Sequence, residues 1–514
     1  MIRLEIVDGS LQISVAGAII LVAPKDSCAI DVLALYDDVP HISIYNKYLG
    51  NSTGIFYKPL ADCEDDTGTP FTVNSFITFA EQNLGFNGGS TPPPSTSPFE
   101  YNGNGTGIEP ILGTNNASGT YATIGGGCQN TASNSFSTIG GGRYNTASCD
   151  NSTIGGGVCN TASREGSTIA GGVFNTASCT FSTIGGGYCN TASCYSSTIG
   201  GGRSNVASGA YSTISGGFCN TASGNNSTIG GGLCNTASSD SSFIGGGRCN
   251  TASYTYSTIS GGFCNTALGN TSTIGGGRCN ASYTYSTIGG GYVNTASGNT
   301  STIGGGRYNT ASGNTSTIGG GRCNTASQYC STIGGGYCNT ASQCFSTVGG
   351  GLNNYASGCL STIGGGSTNI ASGYLSTIAG GRCNTASNNY STIAGGVCNT
   401  ASCYSSTIGG GRCNTASYTY STIGGGCQNT ASGYLSTIGG GCQNTASGLR
   451  SSILGGQCNT TNACADAMIV GSCITADRVC TTFVNNLSIM NIPTSSVGLP
   501  TGSVWSNVGI LTIV

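Results

Sequence analysis

Hydrophobic positions along this chain are sparse and evenly spaced. From residue 123 to 466 one Ile and one Ala return every 15 residues inside the unit S-T-I-G-G-G-x-x-N-T-A-S, in about 23 copies that begin at Thr123, Thr138 and Thr153 and end at Ser452. Count the Thr of T-I-G-G-G as position 1. Ile then stands at 2, Asn at 8, Ala at 10 and Ser at 11. Side chains alternate across a strand, so Asn and Ala share one side while Thr at 9 and Ser at 11 take the other. The pattern predicts two short strands per coil joined by tight turns, with G-G-G supplying backbone freedom at one bend. A short fixed period of this kind predicts an all-β fold, a 15-residue-repeat parallel β-solenoid or β-roll of about 23 coils. Coils stacked ~4.8 Å apart would make a rod of roughly 110 Å. One copy is a residue short. In Arg278-Cys279-Asn280-Ala281-Ser282 the Thr that normally follows Asn is missing.

The flanks read differently. Residues 1–90 form a small β-rich module for attachment or assembly. Ile2/Leu4/Ile6, then Asp8-Gly9, then Leu11/Ile13/Val15 predict a β-hairpin, and Phe76, Phe79 and Ala80 predict one short helix over 72–84. Residues 91–122, preceded by Gly88-Gly89, are a Gly/Ser/Pro-rich linker and lead-in. Residues 123–466 are the repeat, and 467–514 a short C-terminal β cap or tip. The apolar stretch 11–23 follows Glu5 and Asp8 and lacks a convincing small-residue cleavage site, so it is not read as a signal peptide. No apolar run is long enough to cross a bilayer.

Each coil offers one Ile and one Ala against the backbone order of a whole 15-residue turn. That balance predicts lateral association, most economically as a symmetric homotrimer. The formal net charge of −3 supplies no electrostatic case for nucleic acid as a partner.

Ser137-Thr138-Ile139-Gly140, followed by Asn145-Thr146-Ala147-Ser148 and repeated over about two thirds of the chain, resembles the head repeats of trimeric autotransporter adhesins (YadA-like). The resemblance implies a left-handed roll and a homotrimer. G-G-G and the Asn depart from the family pattern, S-x-A-I-G-x-x-S-x-A-x-G. Gly498-Leu499-Pro500-Thr501-Gly502-Ser503-Val504-Trp505 and the ending Gly509-Ile510-Leu511-Thr512-Ile513-Val514 resemble the tails of virion fibre proteins of bacteriophages and some giant viruses. That second resemblance implies a tail or capsid fibre on the virion surface, bound to other virion proteins through the N-terminal module and to a host-surface glycan or protein. Alternatives are a cellular surface adhesin, a self-polymerising extracellular filament and an ice-binding solenoid, the last suggested by regular outward Thr and Ser.

Candidate chemistry is confined to rows. Asn at position 8, as in Asn130, Asn145, Asn160, Asn175 and Asn190, predicts an inward structural ladder. Of 28 Cys, 13 stand at position 7; Cys219, Cys234, Cys249, Cys264 and Cys279 form one unbroken line in which disulfides and free thiols are both open. Position 6 carries Arg in eight coils, among them Arg248, Arg278, Arg307 and Arg322. The most variable positions, 12 to 14, carry Tyr254, Tyr256, Tyr283, Tyr285, Tyr418 and Tyr420. These Arg and Tyr are the candidate receptor contacts: the Arg ridge could attract acidic surface polysaccharide or simply keep the rod soluble, and the Tyr suit sugar or protein contact or packing against a neighbouring chain. No catalytic set, metal site or cofactor is predicted: the single His, His41, sits in a strand-like context, and Asp150, Glu165, Asp240 and Asp466 are too far apart to pair as acid and base. Asp62-Cys63-Glu64-Asp65-Asp66 could hold Ca²⁺ but reads better as a solvated loop. The expectation is a protein that is not an enzyme and does not insert into a membrane.

Overall fold

The computed structural model describes residues 114–488, 492–507 and 510–513, together with the strands Ile2–Val7 (β1), Ser10–Val15 (β2), Ala18–Ile20 (β3), Ile42–Tyr45 (β4), Ser52–Phe56 (β5), Phe99–Tyr101 (β6) and Ile108–Pro110 (β7). The expected helix at 72–84, His41 and the acidic run 62–66 lie outside the described residues. The chain divides into two compact units, Met1–Ala177 with Gly186–Cys189, and Ser178–Gly185 with Asn190–Val514.

In the first unit β1 and β2 pair antiparallel, with Ile2 opposite Val15 and Val7 opposite Ser10. β3 pairs with β2, β4 with β5, and β6 with β7. Ile108 of β7 then pairs in parallel with Thr123, and the coils follow. Thr123-Ile124 stacks on Thr138-Ile139, and that on Thr153-Ile154, always Thr on Thr and Ile on Ile. A second ladder stacks Thr131-Ala132, Thr146-Ala147 and Thr161-Ala162. The second unit repeats both ladders in the same register up to Ser452-Ile453, which pairs onward to Met468–Val470 and then Thr482–Val484. An antiparallel hairpin, Val504–Asn507 with Ile510–Ile513, closes the described chain. The whole is an all-β parallel β-solenoid of about 24 turns, without a helix among the described residues.

Two features of the coil go beyond the two strands expected. Position 6 forms a third parallel ladder of single-residue bridges, as from Arg143 to Val158 to Val173. The bends lie in the left-handed region at three places: Gly at 5 (Gly142, φ 88°), the residue at 7 (Tyr144, φ 58°) and the residue at 14 (Asn151, φ 56°). Only the first requires Gly on steric grounds, since a Cβ on Gly142 would sit 2.0 Å from the carbonyl oxygen of Gly157.

Four side chains per coil point inward: Ile at 2, Asn at 8, Ala at 10 and Ser at 15. Ile303, Asn309, Ala311 and Ser316 are all 0% exposed in the single chain. This removes the premise behind the expected lateral association. No Ile surface is left for a second chain to cover, because each coil closes over its own Ile.

The short coil is also resolved. Ala281 pairs with Thr266 and Thr295, and Ser282 with Ala267 and Ala296. Ala281 therefore fills the Thr place, and Ser282 is pushed into the core place of Ala. The missing residue is absorbed at the next turn, where the Tyr283 amide reaches Ala296 while its carbonyl accepts from the Ser286 amide, two roles that Ser148 and Cys149 divide between them in a full-length coil.

Candidate functional site: outer rows on a polar interior

The interior fixes where the outer rows stand. Each Asn at position 8 ties its own coil to the next. Asn145 Nδ2 donates to Gly141 (3.1 Å) in its own coil and to Gly157 (2.8 Å) in the next, while its Oδ1 accepts from the Asn160 amide at 3.0 Å. Asn130, Asn160 and Asn175 repeat this within the first unit. In the second unit Asn190 donates to Gly202 at 2.9 Å and accepts from the Asn205 amide at 3.0 Å. With both Nδ2 hydrogens and an Oδ1 lone pair spent on backbone groups, and the side chain fully buried, the Asn is closed to a ligand. The ladder starts before the first complete repeat, at Asn115, which accepts from the Asn130 amide. It ends at Asn459, whose Oδ1 accepts from the amide of Ile474.

Ser at 15 forms a second buried row that the sequence reading did not single out, although its strict recurrence before Thr was a usable signal. Its hydroxyl donates to the carbonyl at position 12, as Ser152 does to Cys149 at 2.6 Å. Where position 12 is Gly, the bond is often lost: Ser212, Ser227, Ser301, Ser316, Ser361 and Ser376 have buried hydroxyls without a partner. With Gly at 12, the Gly amide swings onto the next coil's Ala carbonyl, as Gly313 does to Ala326 (3.2 Å), an acceptor already used by Ser312 (2.9 Å).

On the outside, the Arg candidates fall on one line with aromatic rings between them. The Arg248 guanidinium stands 5.5 Å from the Phe263 ring centre, and Arg278 stands 5.1 Å from it on the following coil. Arg278 and Arg307 then flank Tyr292 at 5.6 and 4.9 Å, and Arg322 stands over Tyr337 at 5.4 Å. Arg307 also donates to the Tyr308 hydroxyl at 3.5 Å, and that contact lowers the Tyr308 pKa. All six Tyr candidates are exposed, from Tyr256 at 60% to Tyr283 at 37%. Asn270 and Thr271 of the intervening coil separate Tyr254 and Tyr256 from Tyr283 and Tyr285. Tyr418 and Tyr420, by contrast, join a run of edge-to-face rings through Tyr374, Tyr390, Tyr404 and Tyr434, with centroids 5.3 to 6.5 Å apart. The Thr 9/Ser 11 face is broken at Val206, Ala281, Tyr355 and Ile370.

A family model described as the ubiquitous surface protein adhesin repeat matches residues 212–224. One coil of this chain is thus similar to an adhesin repeat, over Ser212-Thr213-Ile214 and Asn220-Thr221-Ala222-Ser223. No curated protein matches the chain. The matched coil contains Phe218 and Cys219, one ring of the position-6 ladder and the first Cys of the five-residue line.

Cys249, Cys264 and Cys279 of that line are free thiols. Cys219, Cys234, Cys249, Cys264 and Cys279 share φ values of 51–54°. Partial burial pushes the Cys264 thiol above its ordinary pKa, and its neighbours Cys249 and Cys279 add to the effect. Cys398 is raised in the same way by burial and then by Cys383 and Cys413. At Cys264 and Cys398 this disfavours thiolate, the reactive form. Among the described residues no group of three or more His, Cys, Asp or Glu could hold a metal ion, and no helix is long and apolar enough to cross a membrane.

Proposed function

We propose that the chain is a structural surface fibre, a tail or capsid fibre of a virion, whose outer rows make contact with a host surface. The carrying observation is the division of labour within the coil. Every regular polar group inside is committed to holding coils together or lies sealed in the core, while Arg and Tyr stand exposed in rows. Such a solenoid serves as a scaffold that repeats a contact along its length. The C-terminal resemblance supports the virion assignment, with residues 1–90 as the assembly module and 467–514 as the tip. The adhesin-repeat match over 212–224 supports a second reading, a cellular surface adhesin or filament. In either setting the chain associates with itself, as a homotrimer, through exposed rings such as Tyr390, Tyr404 and Tyr420 rather than through Ile.

Immunogold labelling of purified virus particles and of the surfaces of producing cells separates the two settings. Label on particles supports the fibre; label confined to cell surfaces refutes it and leaves the adhesin. Sedimentation of the purified chain tests the trimer, and a single-chain species at micromolar concentration would exclude it.

A further inference from the structure

The net charge of −3 hides a segregation. Between Asp240 and Asp466 the chain carries no Asp, Glu, Lys or His. Its charges there are Arg450, paired with Asp466 at 2.7 Å, and six further Arg at position 6. Four of those six, Arg248, Arg278, Arg307 and Arg322, are exposed members of the line just described. Phe263 and Tyr292 are half-buried, each held between two guanidinium groups. The ring faces are therefore occupied by Arg and are closed to sugar stacking. What the rings do is hold the guanidiniums extended and in line, so less side-chain freedom is lost on binding. No carboxylate from this stretch neutralises them.

We propose that the row from Arg248 to Tyr337 binds a linear anionic polysaccharide through charge-assisted hydrogen bonds to its carboxylate or sulfate groups. The proposal rests on the surface-contact reading and names its ligand class. A linear ligand follows from the linear site: Arg248, Arg278 and Arg307 recur every second coil, ~10 Å apart, close to the reach of two sugar rings end to end. Carboxylates and sulfates both fit the planar fork of Arg. Arg382 and Arg412 supply an internal control. They occupy the same ladder, but their ladder neighbours are Ser367, Val397 and Cys427, none of them aromatic.

The test uses the full chain and immobilised polygalacturonate, dextran sulfate and neutral dextran. Binding to either anionic polymer, weakened by salt, with none to dextran, is the expected result, and the preferred polymer identifies the anion. Arg278→Gln with Arg307→Gln weakens binding roughly tenfold, the value of two exposed charge contacts, whereas Arg382→Gln with Arg412→Gln weakens it by less than about threefold. Phe263→Leu with Tyr292→Leu keeps the charge and still weakens binding about threefold. Unchanged circular dichroism verifies that each variant is folded. Equal losses from the two Arg pairs, equally tight binding of single-stranded DNA through the same row, or no binding to either anionic polymer would overturn the proposal. Cell adhesion measured in parallel keeps the readings apart. Adhesion that survives Arg278→Gln with Arg307→Gln sinks this proposal and leaves the surface role, while polymer binding without adhesion does the reverse.

Discussion

The two buried polar corners of the coil solve one problem with different tolerance. At the Asn corner a single side chain reaches three backbone groups, and no other residue type replaces Asn at position 8 in any of the repeats. At the Ser corner the hydroxyl reaches one carbonyl, and six coils leave it without a partner. A partnerless buried hydroxyl costs about 1–3 kcal/mol, a penalty the array bears at one corner. Losing the Asn would orphan a carbonyl and an amide together and strip a second carbonyl of one of its two donors. The solenoid's cohesion therefore rests on the Asn corner, and the Ser corner is where turn sequences are free to vary.

The largest effect separating the corners is expected from Asn309→Ala. It removes donors to Gly305 and Gly321, both at 2.9 Å, and the acceptor for the Asn324 amide at 3.0 Å. Urea unfolding should report a loss of about 3–5 kcal/mol, with hydrogen exchange rising first in the adjoining coils. Gly306→Ala attacks the same corner through the backbone. At φ 91° its Cβ would sit 2.1 Å from the Gly321 oxygen, and a loss on the order of 2–3 kcal/mol is expected by the same measurement. The Ser corner should respond according to position 12. Ser331, bonded to Gln328 at 2.7 Å, should lose about 1 kcal/mol on Ser331→Ala, whereas Ser316→Ala should be neutral or stabilising. Ser282→Ala, which removes a partnerless hydroxyl from an Ala place, should raise stability by about 1 kcal/mol. The smallest effect belongs to the last coil. The Arg450 guanidinium holds the Asp466 carboxyl below the usual carboxylate range. That contribution is present at neutral pH and disappears as pH falls through the lowered pKa, so acid below the ordinary carboxylate range, not mild acid, should loosen exchange around 450–466, and Asp466→Asn should abolish this pH response.

Period, strand positions, parallel stacking and the inward Ile and Ala were legible in the sequence because they repeat without exception or nearly so. The third ladder was not, since position 6 holds Arg, Val, Phe, Tyr, Leu, Ser, Cys and Gln in turn, and its strand character lies in the backbone alone. The left-handed bends at 7 and 14 were hidden for a related reason: Cys, Tyr and Phe stand where Gly or Asn would have advertised them. Among the candidate contacts, the Arg were legible as a row at position 6 with Phe263 and Tyr292 on intervening coils. That the guanidinium groups flank those rings at 4.9 to 5.6 Å emerges only when coils are stacked, and their uncompensated charge was masked by the acidic residues of the first 110. The Tyr run from Tyr374 to Tyr434 escaped because Tyr374, Tyr390, Tyr404, Tyr420 and Tyr434 alternate between positions 13 and 14, a zigzag that looks irregular along the chain and continuous across coils.

Hydrogen exchange across a dilution series, with sedimentation reporting the number of chains per particle, tests most directly whether each coil closes its own core. Ile303, Asn309 and Ala311 amides should stay equally protected when the particle is a single chain. Protection that collapses as chains separate would mean that the interior depends on its neighbours, contrary to the structure's closed core.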